Sequence, residues 1–249
     1  LHTLVKNDAV GFFMGKRRLE LMMAVLILAG SFYVGRLGAQ MHQMHHQTTA
    51  AVSQEAKVRK VVVDAGHGGF DSGKVGINGA LEKDINLEIA RKVQQKLEQA
   101  GIATIMTRKT DQGLYDEGEE NKKQQDMKRR CSVINESEAD LAVSIHQNSY
   151  TQESICGPQV FYYETSVKGQ KLAEILQETL NQNLEIARPR AGKANDTYYL
   201  LRKTEIPTVI VECGFLSNTE EAEKLMKEVY QEKIAQAICE GVQKFLQTA

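Results

Sequence analysis

The chain lacks several things, and each absence narrows what it can be. It has no excess of basic charge: 31 Lys and Arg stand against 32 Asp and Glu, for a net charge of −1. A nucleic-acid binder usually carries a basic footprint, so that class is set aside. It has no C-x-x-C. Cys131, Cys156, Cys213 and Cys239 each stand alone, which excludes a zinc ribbon and a thioredoxin-type motif. They read as small, mostly buried apolar residues, with a Cys131–Cys156 disulfide as the alternative if the body is exported. There is no Gly-Lys-Ser/Thr, so no phosphate loop. There is no internal repeat at a fixed period.

An uncharged run of about 20 residues, the length of a full membrane span, is also missing. What is there is shorter. Leu21 to Val34 is fourteen uncharged residues behind Lys16-Arg17-Arg18. A positive n-region followed by an apolar h-region is the layout of an export signal. Residues 21–39 therefore read as a signal peptide or a signal anchor, with Leu37-Gly38-Ala39 as the candidate cleavage point. Either way the positive-inside bias places the body outside the cytoplasm. A buried core helix is the bland alternative. Residues 1–20 form the basic N-terminal region. Met14-Gly15-Lys16-Arg17-Arg18 would make a compact n-region by itself, so residues 1–13 read as an over-extended start. Residues 40–58 are polar and read as a solvated linker. They carry His42, His45 and His46, and metal binding by that tract is the alternative.

Residues 59–249 alternate strand-like and helix-like stretches. Strands are expected at 60–64, 102–107, 141–146, 159–163 and 207–212, with a short strand or turn at 198–202. Helices are expected at 83–100, 121–136, 168–183, 218–229 and 230–247. The clearest is 83–100, where Ile85, Ile89, Val93 and Leu97 recur every four positions and Gly101 stops the helix. Strands alternating with helices argue one α/β domain: a central, mostly parallel β-sheet with helices on both faces. Residues 111–130 are rich in charge of both signs and read as a surface loop running into a helix, or as a segment that grips substrate.

Four residues carry candidate chemistry. His67 follows the first strand in Asp64-Ala65-Gly66-His67-Gly68-Gly69, where glycines let the backbone turn tightly. Alone it would read as a turn histidine. Glu82 stands where a helix begins, a place the helix dipole favours for any acid. His146 ends a buried run, which requires partners for its ring nitrogens, either a metal or core hydrogen bonds. Glu212 ends the run Thr208-Val209-Ile210-Val211. A buried salt bridge is its bland reading. In open α/β sheets, however, ligand sites form beyond the carboxyl ends of strands, and His67, His146 and Glu212 all fall there. Two imidazoles and one carboxylate are a ligand set that catalytic zinc uses, with a fourth position open. A second acid would be free to move protons.

Several blocks resemble the zinc-dependent N-acetylmuramoyl-L-alanine amidases of the Amidase_3 family. They are VVVDAGHGGFDSG (61–73), LEKDINLEIA (81–90), Thr107-Arg108 with Asp111, Arg130, SIHQNS (144–149) and IPTVIVECGFLSN (206–218). They run in order through most of residues 60–247. The resemblance implies Zn2+ held by His67, Glu82 and His146, with Glu212 as the catalytic carboxylate. The family often has Ala where Gln147 stands. Residues 113–130, 144–150 and 193–204 look closest to the sporulation and germination branch, which helps make muramic δ-lactam in spore cortex. The implied partner is peptidoglycan, with an accessory activating protein as a further one, and the implied setting is the cell wall. Another zinc peptidoglycan peptidase and a non-catalytic wall-binding protein are the alternatives.

Overall fold

The computed structural model describes residues 5–52, 58–186 and 188–248, and the side chains of its first helix from 18 to 41. The chain divides into two compact units between Lys57 and Val58. The first is a helix, α1 (Val5–Val52). Within it Arg18–Met41 is a 24-residue candidate span containing an 18-residue window of mean hydropathy 1.7, none of it buried. At about 1.5 Å per residue this stretch is about 36 Å long, against a bilayer core of about 30 Å. The helix continues into the tract expected to be a linker. No Gly or Pro occurs between Ala39 and Val52 to stop it. The expected over-extended start is helical from Val5, and residues 1–4 lie outside the described residues. So do the side chains of His42, His45 and His46.

The second unit is built on a six-stranded sheet. Its strands are β1 (Lys60–Ala65), β2 (Ala103–Met106), β3 (Leu141–Asn148), β4 (Gln159–Tyr163), β5 (Lys193–Asn195) and β6 (Thr208–Phe215), in the order β2-β1-β3-β6-β4-β5. The pairs β1–β2, β1–β3 and β3–β6 are parallel. β4 runs antiparallel to β6 and parallel to β5. Four strands thus bear out the expected parallel sheet, and two run the other way. β6 comes last in sequence yet sits in the middle, buried along its whole length.

Alternate strand residues serve opposite faces. Val61, Val63 and Ala65 join a core with α2 (Glu82–Gln99), α4 (Val167–Asn183), α6 (Thr219–Leu225) and α7 (Glu228–Thr248). Val62, Ala142 and Ile210 face α3 (Lys122–Asn135) and α5 (Tyr199–Lys203) through Ile134, Leu200 and Leu201. In α2 the expected stripe Ile85, Ile89, Val93 and Leu97 is buried, and Glu82 and Asn86 extend it into the sheet. Gly101 ends it with φ +77°.

Three features depart from the sequence reading. Residues 199–203 form a helix rather than a strand or turn, because Leu200 and Leu201 are drawn into the core side by side. β5 was not expected; only three residues long, it is an edge strand with little apolar content. All four cysteines are free: Cys131, Cys213 and Cys239 are buried and Cys156 is exposed, so the Cys131–Cys156 alternative is not realised.

Candidate metal centre

The first strand delivers His67 into a loop held by two buried arginines. Arg130, from α3, donates from Nη1 to Ala65 O (2.7 Å) and from Nη2 to His67 O (2.5 Å). Arg108, just after β2, donates to Ala65 O (2.8 Å), Gly66 O (3.0 Å) and Lys83 O (2.7 Å). Asp111 accepts from Gly69 N at 2.9 Å. These bonds hold His67 at φ +63°, a region uncommon for any residue with a side chain.

Beneath the loop lies Asp64. It accepts from Arg130 Nη1 (2.7 Å), Thr107 Oγ1 (2.6 Å) and Ser144 Oγ (2.5 Å). Burial would raise its pKa, but Arg130 and the two hydroxyls outweigh burial and hold it at about 2.

Glu82 begins α2 and reaches both imidazoles. Its Oε1 is 3.2 Å from His67 Nε2 and 3.0 Å from His146 Nδ1. The two rings meet edge to face, with centroids 5.0 Å apart. One nitrogen of each histidine and one Glu82 oxygen lie within 4.8 Å of one another. The other ring nitrogen of His67, Nδ1, is 3.0 Å from Asp71 Oδ2. A carboxylate on Nδ1 fixes the tautomer that leaves the Nε2 lone pair free for a metal.

Glu82 is oriented as firmly as the histidines. Its Oε2 accepts from Lys74 N (2.7 Å) and its Oε1 from Gln147 N (3.1 Å). Asn86 sits one turn along α2, donates to Gly66 O at 3.1 Å and accepts from Gln147 Nε2 at 3.1 Å. Backbone approaches are close: a Cβ on Gly66 would overlap the His146 ring, and one on Gly73 would meet Glu82 and His67. Glycine is the residue that fits there.

The electrostatics suit a cation. Burial opposes protonation of His67, yet Asp71 and Glu82 lift it to about 9. Burial likewise opposes ionisation of Glu82, and hydrogen bonds from both imidazoles hold it well below the carboxylate range. A divalent ion would compete with protons for the same lone pairs. Two imidazoles and an ionised carboxylate converging on one point fit Zn2+, which would bind the histidines through nitrogen lone pairs in place of protons.

Glu212 stands beside this group. β3 and β6 are in parallel register with His146 opposite Glu212, and both strands run on past these residues rather than ending at them. Glu212 is 7 % exposed and its Oε2 has no hydrogen-bond partner, so the expected alternative of a buried salt bridge does not hold among the described residues. Burial pushes its pKa up to about 7, while His146, His67 and the Tyr198 hydroxyl work against the rise. All four sequence-selected residues line a single cleft of about 520 Å³, with Lys123, Asn148, Tyr198 and Leu200 among its walls.

The sequence reading missed Asp71, Asn86 and Tyr198. Asn86 left a signal, a polar residue four positions after Glu82 on an otherwise apolar stripe. Asp71 lies four residues after His67, a spacing that carries meaning only once the loop path is known. Tyr198 left none.

Residues 61–244 match the model of the family Amidase_3, N-acetylmuramoyl-L-alanine amidase. The germination-specific N-acetylmuramoyl-L-alanine amidase of Bacillus subtilis is 38% identical over 188 residues, which cover 74% of this chain and 78% of that protein. The amidase AmiA of Escherichia coli is 29% identical, over 74% of this chain and 75% of that protein. The solved CwlD amidase of Clostridioides difficile, in complex with the GerS lipoprotein, is 39% identical. It aligns with a TM-score of 0.74, over 77% of this chain and all of that one.

Proposed function

The chain belongs to the N-acetylmuramoyl-L-alanine amidase family Amidase_3, and we propose that it cleaves peptidoglycan with a zinc ion held by His67, Glu82 and His146 and with Glu212 as its proton-transfer group. The bond cut is the amide between the lactyl group of N-acetylmuramic acid and L-alanine. The observation that carries this reading is the meeting of three ligand atoms within 4.8 Å in a cleft that also holds a buried carboxyl with one unpartnered oxygen.

Zinc bound there supplies Lewis acidity, polarising the amide carbonyl and making a water in the open position easier to deprotonate. The rest belongs to the side chains. Asp71 holds His67 in the tautomer that presents Nε2. Gln147 N and Lys74 N hold both Glu82 oxygens. The Glu212 carboxyl takes the proton of the attacking water and returns it to the departing alanine nitrogen. A carboxyl poised near 7 suits both halves of that transfer.

The catalytic unit is residues 59–249. Residues 21–39, within α1, act as an anchor that leaves this unit outside the cytoplasm. The stretch Arg18–Met41 is long enough to cross a bilayer core, which is what an anchor needs. The germination-specific relative supports spore cortex as the substrate, with muramic δ-lactam formation as the purpose. The GerS complex of the CwlD relative supports an accessory protein partner.

The test is mass spectrometry of muropeptides after incubating the zinc-loaded chain with purified peptidoglycan. Free L-alanine amino termini with intact glycan are expected. Cuts within the stem would make it a peptidase, and no cuts at all would leave a wall-binding protein.

A further inference from the structure

The three candidate ligands come from three elements, and those elements must be held in register. His67 follows β1, Glu82 opens α2 and His146 lies in β3. Pairing of β1 with β3 ends at Ala65 and Ile145 and does not involve α2. Asn86, on α2 and fully buried, touches all three segments.

Its amide makes three hydrogen bonds, and its partners fix which way round it sits. Nδ2 donates to Gly66 O at 3.1 Å, next to His67. It also donates at 3.4 Å to Glu82 Oε1, the oxygen that both imidazoles approach. Oδ1 accepts from Gln147 Nε2 at 3.1 Å, next to His146. A carbonyl and an ionised carboxylate can only accept, so the amide nitrogen must face them. Gln147, 2 % exposed, then supplies the donor that the amide oxygen needs. The amide is also neutral. A lysine or arginine in its place would offset the Glu82 charge and repel a cation. Asn86 orients the carboxylate and leaves that charge for the ion.

We infer that Asn86 is the positioning residue of the metal site: it ties Glu82 to the segments that bear His67 and His146, and Gln147 sets the orientation of its amide. This rests on the metal reading proposed for His67, Glu82 and His146. Ligands already held in place lose less freedom when the ion arrives, so they bind it more tightly. Loss of the tie is therefore read in zinc affinity.

The experiment measures Zn2+ affinity of the full chain by competition with a chromogenic chelator, with near-ultraviolet circular dichroism as the check on folding. Asn86→Leu keeps the approximate size and removes all three hydrogen bonds. It should weaken binding about ten- to a hundredfold and shrink the rise in melting temperature that Zn2+ produces. Gln147→Leu should weaken binding about three- to tenfold. In an Asn86→Leu background it should cost less than about twofold, because the amide it orients is gone. A folded Asn86→Leu chain with wild-type zinc affinity overturns the inference. So does a lower melting temperature with the zinc-induced rise intact, which is what a merely structural residue would give. Should Asn86→Leu fail to fold, Gln147→Leu decides, and unchanged affinity there overturns the inference equally. A wild-type chain that binds no Zn2+ overturns the metal reading itself, and the inference falls with it.

Discussion

Glu212 and Asp71 are both acids near the same candidate metal site, and their surroundings suit them to different work. Glu212 is buried with a free oxygen and a pKa raised to about 7, the condition of a group that exchanges protons. Asp71 is tied to His67 at 3.0 Å and held ionised by it, the condition of an orienting group. Glu212→Gln should keep full zinc occupancy and lose about 10²- to 10⁴-fold in turnover, measured by release of L-alanine termini. Asp71→Asn should instead weaken zinc binding by about ten- to a hundredfold in a chelator competition. An unchanged zinc affinity would show that His67 needs no such partner. The residues legible beforehand were polar ones at the ends of apolar runs, His67, His146 and Glu212, and the helix-starting Glu82. Asp71 was not, because it reaches His67 through a loop whose path no periodicity records.

Among the elements, the loop from β1 into α2 bears most of the site. Arg130 and Asp64 are the ion pair beneath it, both almost fully buried. The Asp64 pKa falls from 3.8 unfolded to about 2 folded, so its ionised form favours the native state. A depressed pKa gives stability that is complete above about 4 and lost as pH falls through about 2. Its size is roughly 2 kcal/mol, at about 1.4 kcal/mol per unit. The urea midpoint should drop across that window, and less steeply in Asp64→Asn. At neutral pH the same variant should lose about 3 kcal/mol, because Arg130 keeps only Asp126 as a charged partner. Gly66→Ala should leave secondary structure intact by circular dichroism while abolishing zinc retention, since its methyl would enter the His146 ring. The helices of this unit were readable from their apolar stripes, α2 most of all. β5 was not: three residues carry no pattern. α5 was misread because Tyr199-Leu200-Leu201 is a short apolar run with no room to show a helical period. The reversal at β4 had a trace in the sequence, since only ten residues and no helix separate it from β3.

At the scale of the whole molecule, an exposed apolar helix belongs to one unit and a hydrolytic cleft to the other. The full chain should sediment with membranes and resist washing with salt, and a chain without residues 1–41 should move to the soluble fraction. A full chain that stays soluble would reject the anchor. The order of the sheet has a consequence as well. β6, the last of the described strands in sequence, is inserted between β3 and β4 and brings Glu212 with it. Without that strand, β2-β1-β3 and β4-β5 would be separate ribbons with bare edges and no joint between them. A chain that stops before β6 therefore carries His67, Glu82 and His146 without the carboxyl that stands beside them.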